Sequence, residues 1–179
     1  MKTLNTIQTL SKVGKVLCRI IFVFCLVGFI GSIVGIICLA CIPEGIRIGG
    51  VTIKGLIEQS AEISMGTCYA SMAVAIVLCA GEAVLCKLAE HYFTKELEAG
   101  NPFTFDGAKE LIRLGIWTIC IPIITAVIAA VVYAVMEHVF TDVSAMDIGG
   151  SVSVGLGVMF IISGLLCRYG AGLREGNNE

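Results

Sequence analysis

The sequence predicts an all-α membrane protein. The expected form is a four-transmembrane-helix bundle of two helical hairpins, with short β-like extracellular loops and an amphipathic cytoplasmic extension of the third helix. Three observations lead there. Apolar residues make up 57% of the 179 and charged residues only 15%, whereas a soluble domain carries about 25% charged residues; mean hydropathy is +0.95. Four stretches, at 20–42, 63–81, 114–136 and 148–167, contain no charge at all. Each has about 20 residues, the length an α-helix needs to cross a hydrocarbon core roughly 30 Å thick. Finally, Lys and Arg fall on alternate connections.

Allowing for flanking turns, the spans are expected at about 18–42, 63–90, 111–137 and 149–168, within a single integral-membrane domain over 1–179. The first is too long for the 7–15-residue apolar core of a signal peptide, and Cys41-Ile42-Pro43 makes a poor cleavage site, so it is expected to remain in the protein. The N-terminal segment carries Lys2, Lys12, Lys15 and Arg19. The central connection and its flanks carry Lys87, Lys95, Lys109 and Arg113, and the tail carries Arg168 and Arg174. The first loop has Arg47 and Lys54, and the third has only acids, Glu137, Asp142 and Asp147. With both termini in the cytoplasm, ten of the twelve basic residues lie inside, as the positive-inside rule requires.

The connections have distinct chemistry. Ile46 to Ile53 alternates around Gly49-Gly50, the pattern of a short β-hairpin. The third loop repeats its I-G-G-x4-G pattern, from Ile148 against Ile48. This spacing fits both a duplicated hairpin and coincidence, and in either case the two loops could pair into a cap. In the inner connection, Gly100 suits a helix C-cap and Pro102 stops continuation. Thr104 can then N-cap the third helix, with Asp106 in its first turn. Running on to Met136, that helix would be about 50 Å long and would project as a cytoplasmic neck over about 91–113. Tyr92, Phe93, Phe103 and Phe105 are expected to anchor the neck at the headgroups.

Glu82 is the only ionisable residue well inside a span, which makes it a candidate intramembrane polar site. Helical spacing places Ser71, Ala75, Cys79 and Ala89 near its face, predicting a close-packed neighbour. Proton or cation coupling is one reading. The other is a structural carboxylate paired with Arg113 or Lys87, or reaching headgroup water. Small residues at four-residue spacing, Gly31 with Gly35, Ala126 with Ala130, and Ser153 with Gly157, are expected to pack helices. Packing within one chain is the favoured role, and packing between copies the alternative.

The nine cysteines, Cys18, Cys25, Cys38, Cys41, Cys68, Cys79, Cys86, Cys120 and Cys167, all lie in or at the end of apolar runs. They read as small hydrophobes. Cys38 and Cys41 form a CxxC, yet no second pair and no nearby His supports metal or redox chemistry. His91 and His138 fall on opposite membrane faces and are read as interfacial. No metal site and no cofactor is expected. The sequence lacks HExxH, GxSxG and P-loop motifs and any Ser/His/Asp set at one depth, so an enzyme is not expected. The net charge of −2 gives no basic field for direct nucleic-acid binding.

Two segments carry a family resemblance. Gly100-Asn101-Pro102-Phe103-Thr104, followed by the run from Ala108 to Gly115, resembles the bacterial four-helix integral-membrane proteins catalogued as domain of unknown function 2975. The tail from Cys167 to Glu175 is similar to the Arg-Tyr-Gly-Ala stretch ending many members, with Gly172 where an acidic residue is usual. The resemblance implies a Gram-positive-like cytoplasmic membrane and no assigned activity. It also implies a signalling role, since members are often encoded beside a small helix-turn-helix regulator. It transfers no catalytic residue.

Two functions are therefore weighed. The first is a sensor or regulatory module whose neck, through Asn101, Pro102, Phe103, Thr104, Lys109 and Arg113, meets a cytosolic protein partner or a second copy. The second is a small transporter or channel subunit acting as an oligomer, with Glu82 as coupling group.

Overall fold

Helix formation dominates wherever the chain is apolar, because a backbone in hydrocarbon must satisfy its own hydrogen bonds. The computed structural model describes residues 2–41, 47–48, 51–52, 64–99, 104–144 and 154–176. Among the described residues there are four long helices, α1 (Lys2–Cys41), α2 (Met65–Ala99), α3 (Phe105–Val139) and α4 (Val154–Gly176), and the fold is all-α in character. Each contains a stretch long and apolar enough to cross a membrane. The chain is a multi-pass integral membrane protein.

The expected β-like loops are not part of this fold. Among the described residues, extended pairing is confined to β1 (Arg47–Ile48) and β2 (Val51–Thr52), antiparallel with Arg47 opposite Thr52 and Ile48 opposite Val51. Two residues a side fall short of the usual strand of about 3–10 residues. The described part of the third loop holds a turn at Thr141 and Asp142 and no strand. Its 145–153 stretch lies outside the described residues, as do Gly49 and Gly50, and with them the expected repeat and cap.

The helices extend beyond the expected spans. α1 starts at Lys2, ahead of the span expected from about residue 18. No proline interrupts 2–17, and its small residues give it a face to pack: Ser11 is buried, and the Phe93 ring lies over Gly14. α2 runs to Ala99, just before Gly100. The neck is accordingly a pair of helix ends, from α2 and α3, rather than an extension of the third helix alone. At 35 residues each, both helices reach about 52 Å, against a hydrocarbon core of roughly 30 Å.

Thr104 starts α3. Its Oγ1 accepts the Gly107 amide at 3.0 Å and its carbonyl accepts the Ala108 amide at 3.0 Å. This satisfies donors that the first turn of a helix leaves open.

Two compact units can be distinguished. The first comprises Met1–Phe24, Glu82–Ile123 and Ser151–Glu179. Here α3 buries Ala108, Leu111, Leu114 and Thr118, and α4 buries Ala171. α3 and α4 meet almost backbone to backbone. A Cβ on Gly157 would stand 2.9 Å from the Gly115 carbonyl oxygen, and one on Gly164 would stand 3.1 Å from that of Ala108. Lipid supplies no hydrophobic drive between helices, so such close van der Waals contact is what holds them.

The second unit comprises Cys25–Gly81 and Ile124–Gly150. Its buried residues are Leu39 of α1, Ala70 and Val74 of α2, and Thr125 and Ala129 of α3. Gly81 packs directly on Thr125, and Gly35 on the Met72 thioether. Large apolar side chains mostly point outward, among them Phe24 and Leu166, the inverse of a soluble core.

Candidate functional site

Charge is distributed between the units as unevenly as it is along the sequence. The first unit holds ten of the twelve Lys and Arg residues; the second has Arg47 and Lys54. Within the first unit, the end of α2 and the start of α3 flank a crevice of about 450 Å³. Thr104, Lys109 and Arg113, three of the expected neck residues, line it. Asn101, Pro102 and Phe103 lie outside the described residues. The sequence reading missed Tyr92, Lys95, Glu96 and Glu110 as members of the same wall.

An ion pair bridges the crevice. Lys95 Nζ on α2 meets Glu110 Oε1 on α3 at 2.7 Å. Lys95 is the main reason the Glu110 carboxyl sits below its usual range, with further help from the charges of Arg113 and His91. Tyr92 lines the same crevice. Burial, reinforced by neighbouring Glu96, pushes its phenol above the ordinary tyrosine range. Phe93 is turned inward, onto Gly14 of α1.

A smaller cavity of about 170 Å³ continues from the same groups. It shares Tyr92, Glu110 and Arg113 with the first and adds Leu88, Leu114 and Trp117, with His91 at its polar end. Charged and apolar side chains therefore line the two adjoining cavities together.

Glu82 lies elsewhere. It is exposed on α2, not turned toward a packed neighbour as the spacing suggested. The reason is local: Gly81 takes the packed face against Thr125, and the next residue lies about 100° further round the helix. The anticipated pairing with Lys87 is also corrected. Lys87 bonds Glu90 at 2.8 Å and lies 4.6 Å above the Phe22 ring. An i,i+3 pair shares a helix face, whereas Glu82 and Lys87, five residues apart, do not. Arg113 belongs to the crevice.

Of the expected packing residues, Gly35 and Gly157 do pack. Gly31 and Ala130 are exposed, and Ala126 is half-buried; Ser153 lies outside the described residues. Gly28, Gly81, Gly115 and Gly164 supply close approaches that the four-residue pattern did not single out. All nine cysteines are free thiols. Among the described residues, no three His, Cys, Asp or Glu side chains come together as a metal site.

The second unit contains its own polar clip. Ser64 N-caps α2, its Oγ accepting the Thr67 amide at 3.1 Å, and its hydroxyl donates to the Asp142 carbonyl. Thr67 Oγ1 accepts the Ser144 amide at 2.9 Å, and Tyr69 stacks on Phe140 at 5.4 Å. The start of α2 is thereby tied to the turn that follows α3.

No protein-family model matches the chain, and no curated protein or solved structure shows significant similarity to it.

Proposed function

We propose that this integral membrane protein is a sensor or regulatory module of the cytoplasmic membrane that engages a cytosolic protein through its neck. The observation carrying this reading is the charged crevice between two helices that both outrun the bilayer. A pore has no need of such a projection, while a docking device does. The concentration of basic residues in the first unit supports an orientation with that unit, and both termini, in the cytoplasm. The resemblance at 100–115 and 167–175 to the bacterial four-helix family supports a bacterial membrane. On this reading the clipped turn at 140–144 faces the exterior, where it meets a ligand or envelope component.

Affinity capture of the full-length protein tests the reading. Reversing charge with Lys109→Glu and Arg113→Glu should abolish recovery of the cytosolic partner, while Lys12→Glu, outside the crevice, should not. An unchanged set of captured proteins would sink it.

One observation favours a second reading, a small transporter or channel subunit acting as an oligomer. Glu82 is a carboxylate on the protomer's surface, where a second copy could cover it. Proteoliposome flux of protons and monovalent cations decides this. Equal flux for wild type and Glu82→Gln excludes Glu82 as the coupling group.

A further inference from the structure

Once Lys95 and Glu110 neutralise each other across the crevice, four charged side chains remain in its wall among the described residues: Lys109 and Arg113, Glu96 and Asp106. Two cations and two anions suit neither a simple anion nor a simple cation, because each would face two like charges. A ligand carrying a phosphate and an ammonium a few ångströms apart meets both pairs. Lys109 and Asp106 form no ion pair with another described residue, so neither is already committed. The volume of about 450 Å³ falls within the range of roughly 300–1,000 Å³ usual for small-ligand sites.

The other end of the crevice narrows the ligand further. Leu114 and Trp117 line the adjoining cavity, where α3 turns from the charged stretch to its apolar span. A soluble zwitterion would leave the exposed Trp117 ring against water, whereas a lipid's glycerol and first methylenes would cover it. Trp at such a boundary is a usual neighbour of headgroups.

We infer that the α2–α3 crevice binds the headgroup of an aminophospholipid, its phosphate on Lys109 and Arg113 and its ammonium on Glu96 and Asp106. This inference rests on the proposed function only in placing the crevice at a membrane face. Bound lipid would brace the neck from which the partner surface is built.

The test uses the full-length protein in detergent. Native mass spectrometry follows its adducts with phosphatidylethanolamine and phosphatidylglycerol of matched acyl chains, supplied in equal amounts. Phosphatidylethanolamine adducts should dominate. The double variant Lys109→Gln/Arg113→Gln should weaken them roughly tenfold, the scale of losing charge-assisted hydrogen bonds. Glu96→Gln/Asp106→Asn should instead turn the preference toward phosphatidylglycerol. A misfolded variant loses both lipids together, so the opposite responses separate recognition from collapse. Equal adducts in the wild type, or no change in either variant, would overturn the proposal. So would displacement of bound lipid by soluble phosphoethanolamine, which would assign the site to a water-soluble compound. Failure of the wild-type protein to capture any cytosolic partner, with its lipid selectivity intact, would count against the proposed function alone.

Discussion

Lys95 near the end of α2 and Glu110 near the start of α3 are joined at 2.7 Å, tying together the two helix ends that form the neck. The pair is partly exposed, so water and salt screen it and its contribution to stability is below about 1 kcal/mol. Its value is positional, since it fixes the width of the crevice between the other charged groups.

The pair gives the neck a pH dependence of defined sign. Lys95 lowers the Glu110 carboxyl below its ordinary value. A lowered folded-state value contributes stability above the unfolded glutamate range, near about 4.3, and loses it as pH falls through the folded value. Thermal unfolding in detergent should therefore show a small decline in midpoint below about pH 4.3 that Glu110→Gln lacks. Raising salt at pH 7 should shrink the difference between wild type and variant. Parallel curves for the two proteins would refute this.

Glycine substitutions should separate the packed positions from the open ones. An added methyl at Gly157 meets Ile119 and the Gly115 carbonyl oxygen, and such overpacking costs about 1–3 kcal/mol. At Gly31 nothing lies within 4 Å, and alanine in a helix interior gains up to about 1 kcal/mol. Gly157→Ala should thus lower the unfolding midpoint and Gly31→Ala should hold or raise it. The reverse order would contradict the packing described.

Those two glycines also show what the sequence could and could not reveal. Both sit in a four-residue small-residue pattern, which defines a helix face without saying whether another helix covers it. Gly157 meets Gly115, which has no small residue four positions to either side, only Leu111 and Ile119. The start of α3 was more legible, because Thr104 acts through local backbone chemistry; Gly100 lies outside the described residues. The crevice was half legible: Thr104, Lys109 and Arg113 stood out as neck residues, whereas Glu110 looked like an ordinary solvated charge. Its role depends on Lys95, fifteen residues away, a relation that helix periodicity does not encode. Glu82 was misread for a related reason, since its inward neighbour Gly81 presents no side chain to mark the packed face.

The clip in the second unit should govern fraying of α2. Ser64→Ala removes the acceptor for the Thr67 amide and the donor to the Asp142 carbonyl, and loss of such a cap costs about 0.5–2 kcal/mol. Hydrogen exchange in the first turn of α2 should accelerate, as should exchange of the Ser144 amide in Thr67→Val. Unaltered protection at both places would dissociate the clip from helix stability.

The central claim, that the crevice mouth is where a cytosolic protein docks, is tested most directly by photo-crosslinking in intact cells. A photoreactive residue replacing Lys109 should give one discrete protein adduct, and the companion change Arg113→Glu should abolish it. The same residue at Glu137, beyond the apolar span of α3, should give no cytosolic adduct. An identical adduct pattern at 109 with and without Arg113→Glu, or the same cytosolic protein captured from 137, would contradict the account.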